Sequence, residues 1–463
     1  MGLNSCQRKN SVMIFKRLPW LFITALIVFS GLKAHGGAED PAGEMQELMD
    51  AYVGMGSFSG SVMVAKEGEV LFHKAYGKAN HELEVPQETS GKFRIGPVSK
   101  AFTALLIHQL ANEGELSLDD PVEKYAPEIP ASKQIEIQHL LTHSSGLPDI
   151  AARGDFETLK KQSFDPDYII QVLSEGGVAF EPGETHQASK SDYLLLGYII
   201  EEVTGKSYRE VLNEKVLGPL ELDNTGYYQA DSIIKNRVSG YTKNRGRLLN
   251  APYLNNDVLF SAGGIFSTTG DLQSLATHLM DETLIEEDRL EEMWSREAGP
   301  YGLGWVIEEK NGLKTVGRQG SIDGFASNLA IVPDEELKVV VLGNYDTAPV
   351  DDIGDKLINI AMKEDYNPPE NEEAVEISKS LYDLYSGSYI LRSGLELNIT
   401  REGDRLFAQI QGQPEFEIYP VSNKVFHYRS LDASITFETE EEDRVIEINL
   451  RQNGDKETGE PKN

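Results

Sequence analysis

From Ser59 to Tyr76 the chain reads as two β-rich stretches on either side of Lys66-Glu67-Gly68-Glu69. A charged turn with the glycine that a tight reversal needs, set between such stretches, predicts a β-hairpin. The period then changes. Between Pro97 and Glu113, apolar Phe102, Leu105, Leu106 and Leu110 fall at helical spacing, and Gly114 is a stop. Proline suits the first position of such a helix, where a backbone N–H would be unpaired anyway. A second helix is predicted from Ser191 to Val203, ended by Thr204-Gly205. Strand-like runs follow at Lys314–Val316, Ser327–Val332 and Leu337–Leu342. Strands at both ends with helices between them predict an α/β (α+β) sheet whose N- and C-terminal strands pair.

Paired prolines and a run of acids from Lys363 to Ala374 mark a linker. Beyond it, short alternating stretches recur with turn residues every eight to twelve positions. They lie at Gly387–Leu391, Glu396–Thr400, Arg405–Gln411, Phe416–Pro420, Lys424–Tyr428, Ala433–Glu438 and Val445–Leu450. This is the pattern of a small antiparallel, lipocalin-like β-barrel. The expected layout is a leader at 1–38, an α/β domain at 40–365, a linker at 366–378, a barrel at 379–455 and a flexible polar tail at 456–463.

Length changes the picture little, since 463 residues suit two domains. Charge excludes more. A net charge of −32 argues against nucleic acid, which is bound by clustered Lys and Arg. At the N-terminus, Arg8, Lys9, Lys16 and Arg17 precede an apolar run from Leu18 to Leu32, with small residues from Ala34 to Ala38. The run is short of the ~20 residues a spanning helix needs, so it predicts a cleaved secretory signal, an exported protein and no membrane span after cleavage. The one cysteine, Cys6, falls within that leader, which leaves no thiol or disulfide chemistry in the mature chain.

The candidate chemistry begins at Phe93-Arg94-Ile95-Gly96-Pro97-Val98-Ser99-Lys100. It resembles the Ser-x-x-Lys motif of class C β-lactamases, D-amino-acid peptidases, esterases and other penicillin-binding-protein relatives. Further matches follow in that superfamily's order: HLLTHSSGLP from His139, SAGGIFST from Ser261, YGLGW from Tyr301, and Gly317 to Phe325. The resemblance implies a β-lactamase/transpeptidase-like sheet flanked by helices, a small all-β C-terminal barrel, and a serine hydrolase needing no cofactor or metal. In such enzymes a serine at a helix start attacks a carbonyl, and a lysine one turn later assists proton transfer.

Three positions depart from that pattern. Pro97 stands in the nucleophile's slot, with neither a hydroxyl nor the N–H that supplies half of the oxyanion hole. Ala188-Ser189-Lys190 stands where relatives carry Tyr-x-Asn, so Ala188 replaces a proposed base and Lys190 an amide holder. Arg318-Gln319-Gly320, with Ser321 after it, stands where relatives show Lys-Thr-Gly, His-Thr-Gly or His-Gly-Gly. Arginine can meet a carboxylate with its fork but cannot exchange protons near neutrality. Lys100 alone is unchanged. Ser99 is no substitute nucleophile, because two residues further on it faces elsewhere around the helix. His143 reads as a turn residue, and Tyr301 and Trp305 as either pocket or core.

Lys100, Lys190 and Arg318 are expected around one cleft. Three close cations call for a nearby carboxylate, open water or an anionic ligand. The sequence thus points to a serine-hydrolase homologue that is non-catalytic or redirected and binds a small molecule or peptide, with an anionic, peptidoglycan-type ligand suggested by the cations. Two alternatives stay open: an active esterase, D-peptidase or β-lactamase with an unrecognised nucleophile, and a partner-binding scaffold.

Overall fold

The computed structural model describes residues 40–462 apart from 245–246, 282–284, 311, 370–373, 412–414, 429–432, 441–443 and 453–454. The leader expected at 1–38 lies outside the described residues. No described helix is long and apolar enough to cross a membrane.

The predicted hairpin forms β1 (Gly60–Lys66) and β2 (Glu69–Tyr76), and its turn places both Glu67 and Gly68 at positive φ. Later strands are β3 (Val306–Lys310), β4 (Leu313–Ile322), β5 (Phe325–Val332) and β6 (Leu337–Gly343). They form one sheet in the order β3-β4-β5-β6-β1-β2. β1 runs antiparallel to β6, from Gly60 opposite Gly343 to Lys66 opposite Leu337, so the two ends of the domain do pair. Alternation along β1 and β6 sends Val62, Val64, Val339 and Val341 to one face and Met63, Val340 and Leu342 to the other. The first face is covered by α1 (Pro41–Gly54) through Met45 and Met49, and by a helix near the end of the domain (Val350–Met362) through Ile353 and Leu357. The second face carries the larger core, built on α2 (Ser99–Asn112), α3 (Lys190–Thr204) and α4 (Thr269–Met280).

Both predicted helices are present. A single 3₁₀ turn, Gly96–Val98, carries Pro97 into α2, and Gly114 follows the helix at positive φ. Ser189 caps α3 by accepting a hydrogen bond from Ser191 N, and Gly205 ends it in the left-handed conformation.

The C-terminal region is a closed eight-stranded barrel. All seven predicted strands are there, with some ends longer or shorter by one or two residues. The residues expected as a flexible tail are instead an eighth strand, Asp455–Pro461, which pairs with Arg444–Gln452 on one side and Gly387–Leu391 on the other. Closure leaves no open edge. Inside the barrel, Tyr385 stacks on Phe437 at 4.2 Å and meets Phe426 edge-on at 5.5 Å.

Candidate active site

The start of α2 lies against β4. A methyl group placed on Gly320 would come within 2.6 Å of Pro97 Cγ, so the proline ring occupies the space directly over that glycine. Gly320 also has a φ of +147°, which disfavours any side chain there. Ser99 is fully buried and its Oγ accepts a hydrogen bond from Ile265 N, which removes it from the cleft.

In the first turn of α2, one turn after Pro97, Lys100 is only 8% exposed. Its Nζ is 3.2 Å from His143 Nε2, and His143 Nδ1 is 2.8 Å from Asp192 Oδ2. Ser145 Oγ donates to the other carboxylate oxygen at 2.5 Å. The three groups form a buried line from Lys100 through His143 to Asp192. Burial pushes the His143 imidazole well below its ordinary range, and Lys100 and Arg318 add to the effect. The neutral ring is held on both sides: Nδ1 lies against Asp192 and accepts from Ser189 N at 3.3 Å, while Nε2 faces the lysine. Burial pushes the Asp192 carboxyl up, against the pull of Ser145 and Lys100. Burial also brings Lys100 down to about 7, with Arg318 and Lys190 lowering it and Asp192 and Asp149 raising it.

Arg318 is buried on the same side. Its Nε donates to Gly304 O at 2.6 Å and its Nη2 to Tyr193 Oη at 2.7 Å. The guanidinium lies 5.3 Å from the Tyr193 ring and 5.8 Å from the Tyr301 ring. Lys100 Nζ sits 4.9 Å from the same Tyr193 ring, so one aromatic ring serves two cations. Tyr301 belongs to this wall, with its ring 5.0 Å from His143, whereas Trp305 is fully buried against Trp294 in the core.

Lys190 begins α3 and remains partly exposed. Its Nζ reaches Asp149 Oδ2 at 3.5 Å, and its backbone N–H donates to Asp149 Oδ1. The carboxylates needed beside the three cations are therefore Asp149 and Asp192. Ala188 is exposed just ahead of the cap. Gln319 and Ser321 are also exposed, since strand alternation turns them to the face opposite Arg318 and Gly320. The site thus gathers Pro97, Lys100, Lys190, Arg318 and Gly320, while the side chains of Gln319 and Ser321 point away from it. Sequence reading left His143 as a turn residue and missed Asp192. The available signal was an acid on a helix whose neighbours Tyr193, Leu194 and Leu195 are all core residues.

Burial of Lys100 gives a testable dependence on pH. Between pH 7 and 10.5 the unfolded chain holds a proton that folded Lys100 lacks, so this group's burden is full below pH 7 and lifts as pH rises through that window. Lys100→Met should therefore stabilise the protein by about 1–3 kcal/mol at pH 6. The gain should shrink steadily toward pH 10.5 in urea melts at a series of pH values.

A helix-flanked antiparallel sheet, with a lysine one turn into a buried helix that faces the Gly320 strand, defines the fold of serine β-lactamases and penicillin-binding proteins. The chain belongs to the β-lactamase family, whose model matches residues 45–362. A second model, a domain of unknown function named DUF3471, matches residues 371–461. Over 447 residues the chain is 28% identical to penicillin-binding protein 4* of Bacillus subtilis, covering 89% of this chain and 97% of that one. It is 31% identical over 258 residues to the teichoic acid D-alanine hydrolase of Staphylococcus aureus, covering 55% of this chain and 62% of that one. In fold it resembles the octameric penicillin-binding protein homologue of Pyrococcus abyssi, at a TM-score of 0.64 and 24% identity over 90% of this chain and 99% of that one.

Proposed function

We propose that this protein is an exported β-lactamase-family member that binds cell-wall-type ligands ending in D-alanine but forms no acyl-enzyme at the family's nucleophile position. The observation that carries this reading is Pro97 over Gly320: the attacking oxygen is missing, the backbone donor is missing, and a ring fills their place. Substrate class follows the relatives, one named for penicillin binding and one for teichoic acid D-alanine. A terminal carboxylate would meet Lys190, which is partly exposed at the positive end of α3. Asp149 already pairs with Lys190, so affinity is modest and falls with added salt.

A second reading has its own support. Burial, with Arg318 beside it, brings Lys100 to about 7, where it can serve as a base for a redirected hydrolysis. The hydroxyls nearest the relay are committed elsewhere: Ser99 to Ile265 N, Ser145 to Asp192, and Ser189 to the cap of α3.

Assays with nitrocefin and a D-alanyl anilide separate the two readings, alongside calorimetry with a peptide ending in D-alanyl-D-alanine. The first reading predicts background turnover and salt-sensitive peptide binding. Turnover that persists in Pro97→Gly and disappears in Lys100→Met would replace it with the second.

A further inference from the structure

Beside α3 the fold forms an open pocket of 250 Å³, just under the ~300–1,000 Å³ usual for ligand pockets. Its walls are Phe164, Ile169, Tyr227 and Phe260, with Glu201 of α3 and Asp257 facing in. We propose that this pocket binds a small organic cation, an ammonium carried on an apolar or aromatic body.

The chemistry of the lining supports that choice over an anionic or neutral ligand. Glu201 is half-buried and spends one oxygen on the fold, accepting from Tyr208 N at 2.6 Å. Asp257 likewise uses Oδ2, which accepts from Ser163 Oγ and Phe164 N. Among the described residues neither carboxylate has an ion-pair partner. Burial is the main cause that pushes the Glu201 carboxyl up, and the charges acting on it most, Asp167, Glu202 and Glu210, are all negative. Burial is also the main cause that pushes the Tyr227 phenol up, with Asp257 and Glu201 adding to it and Asn256 and Arg94 opposing it. Two carboxylates thus stand against one basic residue in the lining. Arg209, the one basic residue of the lining, is exposed and donates to Gln229 Oε1 at 2.5 Å. Carboxylates set among aromatic faces are the combination that recognises ammonium groups, through charge on one side and ring quadrupoles on the other. A carboxylate ligand would meet two like charges. A neutral one would leave Glu201 without compensation.

The site is independent of acylation chemistry, so it can be tested on the intact protein whatever the cleft does. Calorimetry with benzyltrimethylammonium should show saturable binding that weakens with salt, while benzoate and benzyl alcohol should give none. Glu201→Gln keeps the acceptor for Tyr208 N, and Asp257→Asn keeps one for Phe164 N, so both variants should retain the wild-type melting temperature. Each should bind the cation roughly tenfold more weakly, a step of about 1.4 kcal/mol. No saturable binding to the wild type, or equal affinity in wild type and both variants, would overturn the proposal.

Discussion

Pro97→Ser should acquire covalent labelling by a fluorescent penicillin. The substitution restores a hydroxyl at the head of α2 and a backbone N–H beside it, and it takes the pyrrolidine ring off Gly320. Lys100 already sits one turn below, near neutrality and supported by His143. Loss of one oxyanion donor alone costs roughly 10²–10³ in rate, so the acylation rate should rise by at least about 10² over wild type. Recovery should stop short of a full enzyme, because Ala188 and Lys190 stand where relatives hold the tyrosine and the amide. Stability should change little, since losing a proline at a compatible helix start costs under about 1 kcal/mol. Gel fluorescence with a time course measures the gain.

Asp192→Ala should be the most damaging single change in the site. Asp192 is hydrogen-bonded to His143 Nδ1 and accepts from Ser145 Oγ, and all three groups are buried. Truncation takes a partner from two buried polar groups, at about 1–3 kcal/mol each, and removes the acid that offsets Lys100. The expected loss is about 3–5 kcal/mol in urea melts. Asp192→Asn keeps the size and a hydrogen-bond partner for both His143 and Ser145. It should cost under about 1 kcal/mol, which separates the hydrogen bonds from the charge. The wild type should also lose stability as pH climbs above the ordinary carboxylate range, because the unfolded chain releases the Asp192 proton before the folded one does.

Much of the fold was legible because period and turn chemistry agree. The 59–76 hairpin is two β-rich runs around a turn glycine, and the seven barrel strands alternate apolar and polar residues between turn formers. The eighth strand was not legible, since Asp455–Pro461 (DKETGEP) has no apolar alternation. It is a strand because its neighbours leave two ladders to fill, and Gly459 lets it pack close to Leu391 and Ile448. β4 ran longer than Lys314–Val316 for a related reason: Gly317, Arg318, Gln319 and Gly320 mask the pattern, and pairing with β5 supplies what the residues lack.

In the site, motif order located Pro97, Lys100, Lys190 and Arg318. Treating Arg318 to Ser321 as one binding unit misread the two exposed members, because a strand presents alternate residues to a cleft. The relay through His143 and Asp192 joins positions 49 apart in sequence, and nothing local in either residue announces the other.

With proline at position 97, no acyl-enzyme can form at the family's nucleophile position. The most direct measurement is the intact mass of the wild-type protein after prolonged incubation with excess benzylpenicillin, and separately with a fluorophosphonate. The account predicts the unmodified mass in both cases, with the adduct appearing only in Pro97→Ser. A stoichiometric adduct on the wild type, mapped by peptide digestion to a serine, would contradict it.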